Sequence, residues 1–312
     1  MRAPFALAVL LLAAPAVAES GRTSAAFLRR ALSARAAGMG GAHAAVLDCG
    51  ADAPQFNPAG LARLRRPALA SSYLSGFGDV THGHLAYAQP LPIGTLGVGL
   101  LYFNAGSLEL NLSDGTKGRV TAEEDNAWTL SYGLPLIGGL SAGATYRYVR
   151  LELAQAAQAT SHQGDAGLLW RSPVPGLSFA AAYQYHGGNI VFEEAGDPPP
   201  KTWRYGLALR LPDIDARKLD PEVDLEEFDL TAAADIVKTV FESASPRAGV
   251  ELGLTPPGIG RVALRFGWVF NRFAEGMSFG LGFKAGRLGF DYGYGSAGEL
   301  SALQNVSMSW TF

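Results

Sequence analysis

The chain has 312 residues, of which 48% are hydrophobic and only 17% charged, with a formal net charge of −3. So small a charge argues against a nucleic-acid partner, and the single cysteine, Cys49, excludes an internal disulfide. No stretch after residue 18 approaches the roughly 20 continuous apolar residues of a membrane helix, yet 39 Gly, 16 Phe, 11 Tyr and 5 Trp give an apolar composition that is dispersed rather than clustered.

Met1 and Arg2 precede an apolar run from Phe5 to Leu12 and the small-residue pattern "APAVA", in which Ala16 and Ala18 occupy cleavage-type positions. This predicts a secretory signal peptide over 1–18, with Glu19 as the first mature residue. Residues 19–66 show no alternation and are expected to form a separate N-terminal unit. Within it, "RTSAAFLRRAL" (22–32) predicts a short amphipathic helix. Gly38, Gly40 and Gly41 permit tight backbone turns. Asn57 before Pro58 predicts a helix start, because Asn accepts from free amides and Pro suits the first turn. Gly60, Leu61, Ala62 and Leu64 would carry it on for one or two turns. Arg63, Arg65 and Arg66 are expected to form a solvated or phosphate-facing basic patch.

From residue 67 the pattern changes to period two. Leu140, Ala142, Ala144, Tyr146 and Tyr148 alternate with Ser141, Gly143, Thr145 and Arg147. Val262, Leu264, Phe266, Trp268 and Phe270 alternate with Ala263, Arg265, Gly267, Val269 and Asn271. Such alternation marks a strand with two unlike faces. One face is large and aromatic, and the other is Gly, Ala, Ser, Thr and an occasional charge. A water-facing sheet surface would carry more Lys and Glu, so the small face suits the inside of a closed barrel and the aromatic face suits lipid. In lipid a sheet survives only if it closes and has no edge.

Turn signals divide 67–312 into fourteen strands, at 67–77, 80–90, 93–105, 126–136, 138–152, 162–172, 176–187, 201–212, 227–241, 246–255, 260–272, 276–285, 287–295 and 303–312. Each is near the ~9–11 residues of a tilted membrane strand. The fold class is therefore all-β: a fourteen-stranded antiparallel transmembrane barrel with outer-membrane lipid around it. Every second connection is short and rich in Gly or Pro, as periplasmic turns are; the alternate ones include the longer 106–125, 153–161, 188–200 and 296–302. The long acidic stretch 212–227 falls on the periplasmic side against that trend.

By parity Arg147, Asp165, Arg204, Arg210, Asp229, Asp235, Arg247, Glu251, Arg265, Lys284 and Asp291 fall on the small-residue face. A charge at mid-depth against lipid would cost about 2–4 kcal/mol, which agrees with placing them in the lumen. They serve there either as ion pairs that fix the N-terminal unit or as the polar lining of a passage. His82 and His84 lie two apart on one strand, but a structural metal site takes four ligands, and no metal or other cofactor is expected. No nucleophile sits in a strained Gly-flanked elbow, so an enzyme is not expected either. The last stretch, "NVSMSWTF", alternates Val306, Met308, Trp310 and Phe312 with small polar residues. A strand ending this way resembles the C-terminal signal that barrel assembly machinery reads in outer-membrane proteins.

One stretch resembles a known family. "ARAAGMGGAHAAVLDCGADAPQFNPAGLARL" (34–64) is similar to the N-terminal signature of the outer-membrane superfamily that holds the FadL-type long-chain fatty-acid transporters and the PorV/PorQ family. The resemblance is specific over 34–64 and general over the rest. It implies a fourteen-stranded barrel with a hatch, residues 19–66, inside the lumen of the barrel 67–312. Gly38, Gly40, Gly41, Asp48, Asp52, Asn57, Pro58, Ala59 and Gly60 would form the hatch motif, acting either as turns that pack the hatch or as a gate. The chain departs from the pattern at Cys49 and Pro54. Two functions follow: a hatch-gated channel for a small, hydrophobic molecule, or a PorV-like component of protein secretion whose partners are secreted proteins.

Overall fold

The computed structural model describes residues 21–312 except 77–78, 112–115, 195, 216–224, 273–274 and 298–299. The expected signal peptide and most of the acidic stretch 212–227 lie outside the described residues.

Fourteen strands form the barrel. They are β1 Ala68–Ser75, β2 Thr81–Pro90, β3 Thr95–Asn104, β4 Glu123–Pro135, β5 Leu140–Leu153, β6 Ala157–Arg171 and β7 Leu177–Gly187, then β8 Thr202–Asp215, β9 Glu227–Thr239, β10 Ser245–Thr255, β11 Arg261–Val269, β12 Met277–Ala285, β13 Leu288–Ala297 and β14 Leu300–Thr311. Each strand pairs antiparallel with its sequence neighbours, and β14 closes on β1 from Ala68 opposite Thr311 to Ser75 opposite Gln304. The ladder of the described residues closes on itself and leaves no open sheet edge, as hydrocarbon requires.

Burial follows the alternation. Along β12 Ser278, Gly280 and Gly282 are buried while Met277, Phe279, Leu281 and Phe283 are exposed. Phe266, Trp268, Phe290, Met308 and Trp310 carry the exposed apolar surface across the neighbouring strands. The buried residues are thus in the lumen, not between two sheets, and much of that interior comes from the N-terminal segment. Ala34, Ala36, Met39, Ala42, Ala59 and Leu61 are fully buried.

Several expectations are corrected. The helix expected over 22–32 is a single 3₁₀ turn, Ala26–Arg29, because Leu28 and Phe27 are held by barrel residues such as Leu101 and Val149, and no long helical face is needed. The α-helix of the segment is instead Ala34–Gly38, α1. The expected loop 153–161 is mostly strand: β5 and β6 run on to Leu153 and from Ala157, joined through Ala154 and Gln155 at positive φ. Loop 106–125 holds a hairpin, Ser107–Asn111 with Lys117–Thr121, whose first strand is exposed throughout. β7 is interrupted at Gln184–Tyr185, opposite Asp165, where the register shifts. Tyr185 sits at φ 61° and both residues of the bulge turn inward. The alternation of β7 gives no hint of this.

Candidate functional site

The N-terminal segment crosses the lumen, held by backbone contact, polar bonds and ion pairs. Contact comes first, because the facing strands carry glycine where the segment passes. A Cβ on Gly143 of β5 would stand 2.3 Å from the Pro58 carbonyl carbon, and one on Gly267 of β11 2.1 Å from the Gly40 amide nitrogen. A Cβ on Gly38 of α1 would likewise stand 2.8 Å from the Gly280 Cα of β12, and one on Gly280 3.1 Å from the Gly38 Cα. Gly40 and Gly41 have φ 66° and 76°, left-handed values that a glycine adopts without steric cost. They turn the chain out of α1 toward Ala42–Val46.

The polar bonds fix the register of the segment. Ser278 Oγ accepts from the Gly40 amide at 2.9 Å, and Ser178 Oγ donates to the Ala45 carbonyl at 2.7 Å. Asn57 accepts from the Ala59 amide at 3.0 Å, capping the 3₁₀ turn Pro58–Arg63, while its Nδ2 donates to the Leu168 carbonyl at 2.9 Å. Asn57 is therefore both cap and anchor. Ser307 Oγ accepts from the Ala34 amide at 2.8 Å, and Asn305 donates to the Ala31 carbonyl at 3.1 Å.

The charges gather in three groups. At the end of the barrel where β14 terminates, Glu251 on β10 has no exposed side-chain surface and meets three guanidinium groups. Arg35 of α1 donates to both its oxygens at 2.8 Å, Arg261 to Oε1 at 2.9 Å and Arg265 to Oε2 at 2.5 Å. Arg35 also reaches Asp48 Oδ2 at 3.0 Å, which Arg210 approaches from β8 at the same distance. Asp229 pairs with Arg261, and Asp291 with Arg265, each at 2.7 Å. Burial alone would lower the Arg35 pKa, but Asp48 and Glu251 outweigh it and hold the guanidinium above its ordinary value. Lys284 is exposed at this mouth and lines a cavity of about 320 Å³ with Asp48, Arg210 and Arg261.

At mid-depth Asp235 Oδ2 accepts from the His43 and Ala44 amides and from Arg204, each at 3.1 Å. Arg204 also donates to the Gly41 carbonyl. Across the lumen Arg147 pairs with Asp165 at 2.7 Å beneath the Tyr185 ring, and the Tyr185 hydroxyl donates to the Leu28 carbonyl at 2.7 Å. Arg247 stands apart, its nearest carboxylate oxygen being on Glu275 at 3.9 Å.

Thus Gly38, Gly40, Gly41, Asn57, Pro58, Ala59 and Gly60 lie along one continuous segment in the lumen. Ala59 is buried with them, and Gly60 packs on Ala53 and Cys49. Asp48 joins the Arg35 network, whereas Asp52 lines the cavity beside it. Val306, Met308, Trp310 and Phe312 lie at and near the end of β14, where the Phe312 amide donates to the Pro67 carbonyl at 2.9 Å. His84 bonds to Gln55, and His82 stacks on Phe103 instead of sharing a ligand with it. Among the described residues no group of three or more His, Cys, Asp or Glu could hold a metal ion. Sequence reasoning missed Arg35 and Arg261, which complete the Glu251 cluster; Arg35 carries no periodic signal, and Arg261 sits at a strand start where parity is not yet established.

No protein-family model and no curated protein matches the chain. Solved structures do. The chain is similar to the CymD monoaromatic hydrocarbon channel, with a TM-score of 0.56 at 14% identity over 89% of this chain and 96% of that one. It is similar to the Pseudomonas putida toluene transporter TodX, with a TM-score of 0.56 at 11% identity over 88% and 95%. A Pseudomonas aeruginosa FadL homologue gives 0.53 at 12% identity over 89% and 98%. At such identities the likeness is one of fold.

Proposed function

We propose that this chain is an outer-membrane channel for a small hydrophobic molecule, with residues 19–66 acting as a hatch that blocks the lumen at rest. Residues 1–18 are its signal peptide, and the alternating end Val306–Phe312 is its assembly signal. The observation that carries the reading is the filled lumen. A closed barrel with an apolar exterior is threaded by a segment that lies between a cavity at each end, one of about 360 Å³ and one of about 320 Å³. Its fold is shared by proteins described as a monoaromatic hydrocarbon channel and a toluene transporter. In this reading the network around Glu251 is a latch. Among the described residues the segment supplies Arg35 and Asp48 to it, so opening exchanges the Glu251 carboxylate for water around Arg35.

The PorV-like reading, a protein-secretion component, has one observation in its favour. The outer hairpin Ser107–Asn111 with Lys117–Thr121 is exposed, with Glu109 facing Lys117 and Arg119 and with Leu108 and Leu110 exposed beside them, a mixed surface of the kind protein partners meet.

The experiment that separates them is flux into liposomes holding the purified barrel. The channel reading expects saturable uptake of labelled toluene or fatty acid that rises when Arg35 is replaced by Ala. Uptake no higher than in empty liposomes, for wild type and variant alike, contradicts it.

A further inference from the structure

The outer cavity differs from the periplasmic one in the balance of its charges. Five guanidinium groups line it, from Arg29, Arg30, Arg204, Arg247 and Arg272, against two carboxylates, Glu242 and Glu275. Glu242 is engaged by both Arg29 and Arg272, and Arg204 by Asp235 beneath it. Counting Asp235, the described residues still leave two positive charges in excess. Arg30 is open to water, so Arg247 is the half-buried guanidinium at which that excess is least answered. Its side chain is 12% exposed, its Nε is buried without an acceptor, and among the described residues the carboxylate within ion-pair reach, Glu275, lies 3.9 Å off and is itself 38% exposed. A guanidinium held in a half-dry cavity favours an anion that can take two of its N–H groups at once.

The opposite wall is aromatic. The His82 ring lies 4.5 Å from that of Phe103, centroid to centroid, and Phe103 stacks on Phe27 at 5.9 Å with the planes 17° apart. Both ring nitrogens of His82 are buried and unpartnered, so this side of the cavity offers faces rather than hydrogen bonds. At about 360 Å³ the space takes a single ring with a small substituent. Tyr185 and Arg204 also line it.

We propose that this cavity binds small aromatic carboxylates, with the ring against Phe27, Phe103 and His82 and the carboxylate on Arg247. A neutral hydrocarbon would leave the excess charge unanswered, and an inorganic anion would leave the aromatic wall wet. The inference deepens the channel reading, on which it rests for what the site is for: the cavity would select what reaches the hatch.

Calorimetric titration of the detergent-solubilised full chain tests it, with benzoate, benzyl alcohol and decanoate as probes. Expected are saturable benzoate binding that weakens with added salt, benzyl alcohol at least about tenfold weaker for want of the charge-assisted pair, and decanoate weaker because it has no ring to set against the aromatic wall. Arg247→Met should weaken benzoate by about tenfold or more while leaving benzyl alcohol unchanged. The far-UV spectrum of the variant checks its fold; if it does not fold, the benzoate-to-alcohol ratio and the salt dependence of the wild type decide. No benzoate binding, equal affinity for the alcohol, tighter binding of decanoate, or a folded Arg247→Met that binds benzoate as well as wild type would each overturn the proposal. Benzoate binding without flux of any probe would sink the channel reading and keep the site. Toluene flux without benzoate binding would do the reverse.

Discussion

Glu251 concentrates the electrostatics of the lumen in one side chain. It is buried and answered by Arg35, Arg261 and Arg265, so its charge is compensated several times over. Removing it would leave three guanidinium groups short of a partner in a low-dielectric interior, which is the costly way to break a buried pair. Glu251→Gln is expected to destabilise the detergent-solubilised barrel by about 3–5 kcal/mol, read as a lowered midpoint of thermal unfolding; a midpoint within a degree of wild type would show that the cluster contributes nothing net. His43 is a second case. Its side chain is buried against Phe56, with Nδ1 unpartnered and Arg35, Asp48, Asp52 and Glu251 around it. Burial, with Arg35 adding to it, lowers its pKa to about 4. The imidazole is therefore neutral when the segment is docked and gains a proton more readily when it is not. That part of docking stability is complete above the free value of about 6.5 and is lost as pH falls from there toward 4, on the order of 3 kcal/mol at the lower end. The protection factors of amides 34–48, taken relative to intrinsic exchange at each pH, should fall across that window in wild type and much less in His43→Phe. An equal fall in both would exclude His43 as the cause.

Among the elements, the barrel strands were legible in the sequence because period two is written into each of them independently. All fourteen appear with shifts of a few residues at their ends, and β12 shows the alternation without exception until Lys284–Ala285 at the rim. What was illegible depends on partners far along the chain. The bulge that turns Tyr185 inward is required by Asp165, whose Oδ1 accepts from the Tyr185 amide at 2.7 Å, and nothing within 176–187 announces it. The segment 21–66 has no period because its surroundings change along its length: α1 meets β11 to β14, and the turn Pro58–Arg63 meets β3 to β6. Its glycines and Asn57 could be singled out, but not where they would land. Parity placed the strand charges on the small face, yet could not say that most would pair with one another or with the segment. The glycines opposite the segment carry a prediction of their own. Gly143→Ala puts a methyl where the Pro58 backbone lies, within 2.3 Å, while leaving the outer face of β5 untouched. Barrel assembly and heat-modifiable gel migration should survive, whereas protease cleavage between residues 50 and 66 should rise by about tenfold if displacement costs the ~1–2 kcal/mol typical of overpacking. Unchanged cleavage would mean that the contact is not needed to hold the segment.

For the molecule as a whole, the arrangement inverts a soluble protein. Tyr146, Leu168, Tyr205, Leu281 and Met308 are among the most exposed apolar side chains, while Arg147, Arg204, Arg265, Asp235 and Glu251 are buried. This is economical only where the exterior solvent is hydrocarbon, since there a charge turned outward costs about 2–4 kcal/mol at mid-depth and a bulky apolar residue costs nothing. The most direct test is the accessibility of spin labels placed singly at Phe266, Leu281 and Met308 in reconstituted bilayers. The structure predicts that all three collide readily with dissolved oxygen and hardly at all with a water-soluble nickel chelate. If the nickel chelate reaches them as freely as it reaches a label at Glu109 in the outer hairpin, those faces do not meet lipid, and the barrel, its filled lumen and the channel built on them cannot stand.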